Sequence, residues 1–524
     1  MNHKLETWLA AFLVALAALA SALLVVGILQ ATTAHAWRPT GFNAEAAYAP
    51  GHAVETTSAN YPNCRFGVGG GVIGYDVAGL NVGWHLDFGA QLNPSHPNGA
   101  EYIQVIDLKP ALNGYAFTPP TSTLYQIMDQ NPGSTWLVGN EPDGPLVDNL
   151  YPETYARAYH DLYYLIKQHD PTARVGIAAI IQPTPLRFQY LDRVWNAYQQ
   201  YYSEPLSTDL WNTHSYILRE IDPSDPQAYP NGPYFVWGAY IPPGIAVTRG
   251  ILYNESDMFS LSIFRQRLLD LRTWMADHGQ RDKPLYITEY GELFQYPPYM
   301  PPNDPDPYVD ENGVPITEAR VATFMTGTFG ILQTASDSRV GYPADANQLV
   351  QRWLWFSTNY SGYGGMLFDP NTHQRSQLGN VFYTYTHAIS PEVDLSAVRV
   401  LADPSVLDDT GQPEIVTLTA LISNIGNISI SVPITVAFYA GQPPSGTFIG
   451  AQAITSSLSG CAATAQVGVT WVISGAGPHP MYAMVDPAGA IAEVNRANNT
   501  ATGMALIATE HSYLPIIAKN YTGQ

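Results

Sequence analysis

Between about residue 62 and residue 390, short apolar runs alternate with longer segments whose apolar positions recur every three to four residues. The runs are Phe66–Gly70, Val82–Phe88, Tyr102–Asp107, Thr135–Gly139, Arg174–Ile180, Asp209–His214, Pro284–Thr288 and Gln351–Ser357. Runs of this length, bounded by Gly, Pro, Asn or Asp, predict buried strands. The helical spacing is clearest at Tyr155, Ala158, Tyr159, Leu162, Leu165 and Ile166, on a segment opened by Pro152. Similar faces occur at Leu191/Val194/Trp195/Tyr198, Phe264/Leu268/Leu271/Met275 and Phe324/Met325/Ile331/Leu332. Strands alternating with amphipathic helices imply a parallel sheet, and eight such runs predict a closed (β/α)8 TIM barrel over residues 63–390. The stretch containing Asn93-Pro94-Ser95-His96-Pro97, between the second and third runs, is too short for a full crossover helix, so the barrel is expected to be thin on that side. An open doubly wound sheet is the alternative, but no Gly-rich fingerprint follows a strand to support it.

After Ser390 the helical period disappears. Alternating β-rich stretches such as Ile415–Leu421 and Ile434–Tyr439, separated by turn signals, predict an immunoglobulin-like all-β sandwich over residues 391–510, with 511–524 as a C-terminal tail. The segments Ser423-Asn424-Ile425-Gly426-Asn427, Val485-Asp486-Pro487, Glu493-Val494-Asn495 and Asn498-Asn499 resemble the bacterial adhesion-related sandwich domains called CARDB. The resemblance implies a spacer or adhesion unit and no chemistry. At the other end, Trp8–Leu29 is an apolar run whose only polar side chain besides the Trp8 indole is Ser21, with Lys4 ahead of it and the small-x-small pattern Ala34-His35-Ala36 behind. This predicts a signal peptide over residues 1–36, followed by a lead-in linker over 37–62. The run is also long enough to span a bilayer, so an uncleaved N-terminal anchor is the alternative, and only that alternative brings a membrane contact. Both versions predict a secreted or cell-surface protein.

Charged residues are only 13% of the 524, the net charge is -21 and the pI is near 4.8, which argues against nucleic acid and against anionic lipid as partners. Tyr 34, Trp 11 and Pro 42 suit a loop-rich aromatic surface able to stack on sugar rings, and equally suit aromatic packing at core edges. The two cysteines, Cys64 and Cys461, fall in different predicted domains. They exclude a disulfide framework and a cysteine metal site, and are read as two buried thiols rather than a bridge.

Candidate chemistry lies at two strand ends. Leu137-Val138-Gly139-Asn140-Glu141-Pro142-Asp143 closes the fourth predicted strand and Leu285-Tyr286-Ile287-Thr288-Glu289-Tyr290-Gly291-Glu292 the seventh. In a barrel these ends share one rim, where two carboxylates can act across one bond. The pair resembles the large clan of retaining glycoside hydrolases with (β/α)8 barrels, in which an Asn-Glu after strand four carries the acid/base and a Glu after strand seven is the nucleophile. By that resemblance Glu141 is the acid/base, Glu289 the nucleophile and Asn140 a ligand of the sugar 2-hydroxyl. The physics then expects Glu141 to be raised by burial and Glu289 to stay ionised. Glu292 is read as a supporting or loop charge. His214 or Tyr216, ending the sixth strand, is expected to hold the nucleophile. Trp353, with Trp355 on the same strand face, is expected as an aromatic platform, and Trp84, His85 and Asp87 as weaker sugar contacts. A rim loop over residues 217 to about 256, with Tyr229, Tyr234, Phe235, Trp237 and Tyr240, is expected to wall the cleft. Asn303–Asp310 is read as a solvated acidic loop rather than a calcium site. The sequence thus predicts a secreted two-glutamate glycosidase acting on a polysaccharide without cofactor or metal. The short Gly-Asn-Glu-Pro-Asp form is similar to β-1,3-glucanase-type members, while xylan and mannan stay open. The alternative is a non-catalytic carbohydrate-binding or adhesive surface protein on a degenerate barrel.

Overall fold

The computed structural model describes residues 61–112, 114–225, 239–296 and 308–509. The predicted leader, most of the lead-in, the tail and the aromatic residues Tyr229, Tyr234, Phe235 and Trp237 lie outside them. Among the described residues no helix is long and apolar enough to cross a membrane.

The first domain is an α/β body. Its strands are β1 (Asn63–Gly69), β2 (Val82–Leu86), β3 (Glu101–Tyr102), β4 (Gln104–Ala111), β5 (Gly114–Thr118), β6 (Thr135–Val138), β7 (Arg174–Ile177), β8 (Trp211–His214), β9 (Leu285–Glu289) and β10 (Arg352–Phe356). Its helices are α1 (Thr121–Gln130), α2 (Pro152–His169), α3 (Pro185–Tyr202), α4 (Leu261–Asp277), α5 (Glu318–Thr334) and α6 (Gln377–His387). Only short 3-10 turns, Ala78–Leu80 and Pro97–Gly99, lie between β1 and β2 and between β2 and β3, so this side has no helical cover of its own.

The continuous closed barrel expected from the sequence is not formed. The strands make two parallel part-barrels, a six-stranded sheet of order β3-β2-β1-β10-β9-β8 and a four-stranded sheet of order β5-β4-β6-β7, in which β5 is an antiparallel addition. Single parallel bridges, Gly176 to Leu210 and Ile180 to Thr213, join the facing edges of β7 and β8. At the other seam Ile103, which separates β3 from β4, donates its N–H to His85 O.

Strand alternation sorts the apolar side chains. Trp84, Leu86, Ile103, Val105, Leu137, Leu210, Tyr286, Leu354 and Phe356 form one buried cluster drawn from strands all around the sheets, which is the filled interior. Phe66, Val68, Trp136, Ile287, Trp353 and Trp355 belong to the separate, larger cluster that includes the helices. β1 contributes no bulk inward: a Cβ at Gly67 would stand 2.5 Å from Trp84 Cε2, so glycine there makes room for the indole. At the floor of the interior Arg352 pairs with Glu101 at 2.5 Å, and Thr135 donates to the same carboxylate at 2.6 Å.

The second domain is a β-sandwich. One sheet holds β11 (Leu395–Asp403), β13 (Glu414–Asn424) and β16 (Ala463–Ile473) in the order β11-β13-β16. The other holds β12 (Val406–Asp408), β18 (Thr500–Ala508), β17 (Gly477–Val485), β14 (Ile434–Ala440) and β15 (Thr447–Ile454) in that spatial order. Inward residues such as Val416, Leu418, Ala420, Ile422, Val436 and Phe438 form its own core.

The two domains are covalently joined. Cys64 and Cys461 form a disulfide across a sequence separation of 397, correcting the expectation of two separate thiols. The beginning of β1 packs on the turns that end β13 and precede β16, so residues remote in sequence become neighbours. Cys64 N–H donates to Asn427 O, Cys461 N–H to Gly426 O and Ser423 Oγ to Ala344 O. Arg65 pairs with buried Asp345 at 2.8 Å and also reaches Ile425 O at 2.9 Å.

Candidate active site

Glu289 and Glu141 reach one mouth by two different local departures from strand geometry. In β9 Tyr286 points to the interior and Ile287 to the helix layer, so simple alternation would send Glu289 outward. The register prevents this: Thr213 pairs with Ile287 but His214 pairs with Glu289, leaving one extra residue on β9. Such a bulge re-aims the side chain that follows it. Glu141 lies three residues beyond the end of β6 in a left-handed conformation, φ 50°, which is uncommon for a residue with a Cβ. Its N–H donates to Ala179 O and its carbonyl accepts from Gly144 N–H. The approach to that turn needs Gly139, φ 96°, where a Cβ would meet Asp148 Oδ2 at 2.6 Å; the same carboxylate accepts the Asn140 N–H at 2.7 Å.

Between the two glutamates stands buried His214. Its Nδ1 is 2.7 Å from Glu141 Oε1, and its Nε2 is 3.4 Å from Glu289 Oε1, an ion-pair distance without hydrogen-bond alignment. Tyr216 donates its hydroxyl to Glu289 Oε2 at 3.0 Å. The donor atoms of Glu141, His214 and Glu289 all lie within 4.8 Å of one another, so the carboxylates face each other at short range. Three such donors could serve a divalent cation. The shortest contacts, however, run from the two carboxylates to opposite ring nitrogens of His214, Nδ1 to Glu141 and Nε2 to Glu289.

The charges shape one another. Burial pushes Glu289 up to about 7, against the opposing pull of His214, and the nearby Glu141 carboxylate adds to the rise while Tyr216 opposes it. Burial by itself would depress His214, but Glu289 and then Glu141 overcome it and leave the imidazole raised. Glu289, the group expected to stay ionised, is therefore lifted by its burial. Glu292 is no loop charge: it is buried, takes the Phe294 N–H at 2.7 Å and is pushed up to about 8 by desolvation.

Other expected contacts sort by strand parity. Trp353 is buried in the helix layer, its ring edge-on to Phe66 at 4.9 Å, and Trp355 lies on the same outward face, edge-on to Tyr290 at 5.3 Å. Neither is a platform at the mouth, which corrects that expectation. Trp84 is also corrected: it fills the interior against Tyr286, with Leu86 and Phe356 nearer the strand ends. His85 faces Tyr102 and binds Ser95 O, and exposed Asp87 has no described contact with either glutamate. Asn140 is half-buried beside Glu141 with no described side-chain hydrogen bond.

Two features escaped the sequence reading. Inward-facing Phe356 packs with Phe88, Tyr360 and Tyr363, with ring centroids 5.9 to 6.1 Å apart, and Tyr363 is raised to about 12 by burial and Tyr360, then by Glu289 and Glu141. The aromatic cover of the mouth thus comes from the residue after Trp355 and the loop beyond it. The second is a buried ionic group behind Glu141. Arg187 Nη1 pairs with Asp143 Oδ2 at 2.6 Å and Arg187 Nε with Glu220 Oε1 at 3.1 Å, all three side chains fully buried. The available signal was an arginine between Leu186 and the apolar positions Tyr190, Leu191 and Val194 of α3.

Comparisons with known proteins complete the description. No curated protein matches this chain. Among solved structures, an endo-β-1,3-glucanase of glycoside hydrolase family 128 from Sorangium cellulosum is 14% identical, covering 61% of this chain and 98% of its own, with a TM-score of 0.36. A second, from Amycolatopsis mediterranei in complex with laminaritriose, is 16% identical over the same shares, with a TM-score of 0.38. The CARDB domain of a Pyrococcus furiosus protein, solved with two metal ions, is 20% identical, covering 23% of this chain and 99% of its own, with a TM-score of 0.20. Residues 394–503 match the family model described as CARDB, so the sandwich is a CARDB domain.

Proposed function

We propose that the chain is a glycoside hydrolase that cleaves O-glycosidic bonds of a polysaccharide with retention of configuration. The observation that carries this is the facing pair Glu141 and Glu289, with donor oxygens within 4.8 Å and His214 in contact with both. Retaining glycosidases need carboxyl groups about 5–5.5 Å apart, whereas inverting ones leave about 6.5–9.5 Å for a water. Glu289 attacks the anomeric carbon while Glu141 gives its proton to the departing oxygen. Water then breaks the glycosyl-enzyme ester, with Glu141 taking the water proton and Glu289 leaving as carboxylate.

His214 and Tyr216 make this division of labour workable. A protonated His214 beside Glu289 favours the anion that attack requires, and the Tyr216 hydroxyl orients its second oxygen. At Glu141 the His214 Nδ1 contact fixes the carboxyl and offers a route by which the shared proton reaches the leaving group. Asn140 is placed to meet a sugar hydroxyl. The Cys64–Cys461 bridge and the apolar leader both suit an exported protein.

The test is reducing-sugar release from β-1,3-glucan, xylan and mannan by the Trp37–Gln524 protein beside Glu141→Ala and Glu289→Ala. The expected result is cleavage of one glycan and a loss of about 10²–10⁴-fold or more in each variant. Glycan binding without cleavage by wild type would instead favour the adhesive alternative.

A further inference from the structure

Asp143, two residues beyond Glu141, is fully buried, as are Arg187 and Glu220. Arg187 is the centre of the group. One guanidinium nitrogen, Nη1, holds both the carboxylate and the carbonyl of Asp143, at 2.6 and 3.1 Å. Nε holds Glu220, whose Oε1 also takes the Thr184 hydroxyl at 2.5 Å and whose Oε2 takes the Ile251 N–H at 3.1 Å. Nη2 donates to Tyr240 O at 2.8 Å. Tyr240, Glu220 and Ile251 belong to the long segment after β8, so one side chain ties that segment to the turn that carries Glu141.

A fully buried ionic group of this kind is a costly way to gain stability, since desolvation offsets much of its attraction, and its best-attested use is to fix one arrangement. The arrangement fixed here is unusual. Glu141 stands in a left-handed conformation, and its turn is held by the bond from Gly144 N–H and, two residues on, by Arg187 on Asp143. We propose that Arg187 is a positioning residue for the acid/base: through Asp143 it holds Glu141 at the bond to be broken and makes that placement depend on the rim segment anchored at Glu220 and Tyr240. This rests on the reading of Glu141 as acid/base given above. Arg187 does not touch substrate. In the first step its effect falls on proton delivery to the leaving oxygen, and the attack by Glu289, which the β9 bulge and Tyr216 position without Arg187, is left intact.

That separation gives the test. The full-length exported chain, with Arg187→Lys, Asp143→Asn, Glu220→Gln and Glu141→Ala beside wild type, is assayed on an oligosaccharide of the glycan it cleaves and on the 2,4-dinitrophenyl glycoside of the same sugar. The latter leaves without a proton. Thermal melts by circular dichroism identify folded variants, and Glu220→Gln, at the far end of the group, keeps the test open should a change at Arg187 prevent folding. The expected result is a fall in kcat/KM, which reads the bond-breaking first step alone, of about 10²-fold on the oligosaccharide with less than about threefold change on the dinitrophenyl glycoside, the pattern of a misplaced general acid. Equal loss of kcat/KM on both substrates, or no loss on either in folded variants, would overturn the proposal. If Glu141→Ala itself shows no dependence on the leaving group while wild type is active, the assignment of Glu141 fails, whatever the Arg187 variants do.

Discussion

In the proposed mechanism Glu289 acts as an anion in a place that penalises charge. Burial raises it, and the Glu141 carboxylate raises it further; against these stand His214 and the Tyr216 hydroxyl. Tyr216 binds the carboxylate form, so Tyr216→Phe removes a stabiliser of the anion and must push Glu289 higher still. The limb of kcat/KM that rises with pH as Glu289 ionises is therefore expected to move to higher pH, and activity at pH 6 to fall about tenfold, as one lost hydrogen bond to a charged group implies. A pH profile of wild type and variant checks this; an unmoved limb contradicts the role given to Tyr216. For stability the sign is the same at Glu289 and Glu292, both raised on folding. Their contribution is full below the ordinary carboxylate range and is lost as pH rises through about 7 to 8. At this scale the sequence singles out what sits in short motifs: Glu141, Glu289, His214 and Tyr216 all lie at strand ends, and the fold brings them together. Arg187 is not singled out, because its partners Asp143 and Glu220 meet it only through the fold.

The elements were legible as elements, but the face each residue shows was not always so. All eight strand-like runs correspond to strands, and the missing crossover helix between β2 and β3 follows from loop length. What the period could not supply was the choice between inside and outside on β10, where every residue from Arg352 to Phe356 is buried. A strand buried on both faces carries no polar alternation, so the conspicuous tryptophans attracted the assignment that parity gives to Phe356. Trp353→Ala should thus cost about 3–5 kcal/mol of stability, as a large core aromatic does, while KM for the glycan stays as in wild type. Denaturant unfolding together with Michaelis curves measures both. A large rise in KM with unchanged stability would return Trp353 to the mouth. The β9 bulge and the positive φ of Glu141 were equally invisible, since both are answers to neighbouring backbone and leave no mark on local composition.

At the scale of the molecule the CARDB domain is bound to the first strand of the α/β domain by Cys64–Cys461, by the Arg65 contacts to Asp345 and Ile425, and by a small apolar contact of Tyr342, Ala344 and Ala462. The domain that the resemblance reads as a spacer or adhesion unit is thus tied directly to the α/β domain. Two cysteines far apart in sequence looked unpaired because chain separation says nothing of proximity once two domains dock. The double variant Cys64→Ser/Cys461→Ser is expected to lose about 2–5 kcal/mol in denaturant unfolding, with dithiothreitol bringing wild type to the same midpoint. Identical midpoints under oxidising conditions would mean that the bridge does not form. The attachment lies at the beginning of β1, whereas Glu141 and Glu289 lie at the ends of β6 and β9, so the proposed active site and the domain junction occupy opposite ends of the sheets. The central claim, two carboxylates close enough for direct attack, is tested most directly by the anomeric configuration of the first product, read by proton NMR before mutarotation on the glycan that wild type cleaves. The spacing of Glu141 and Glu289 predicts retention; an inverted product would contradict it.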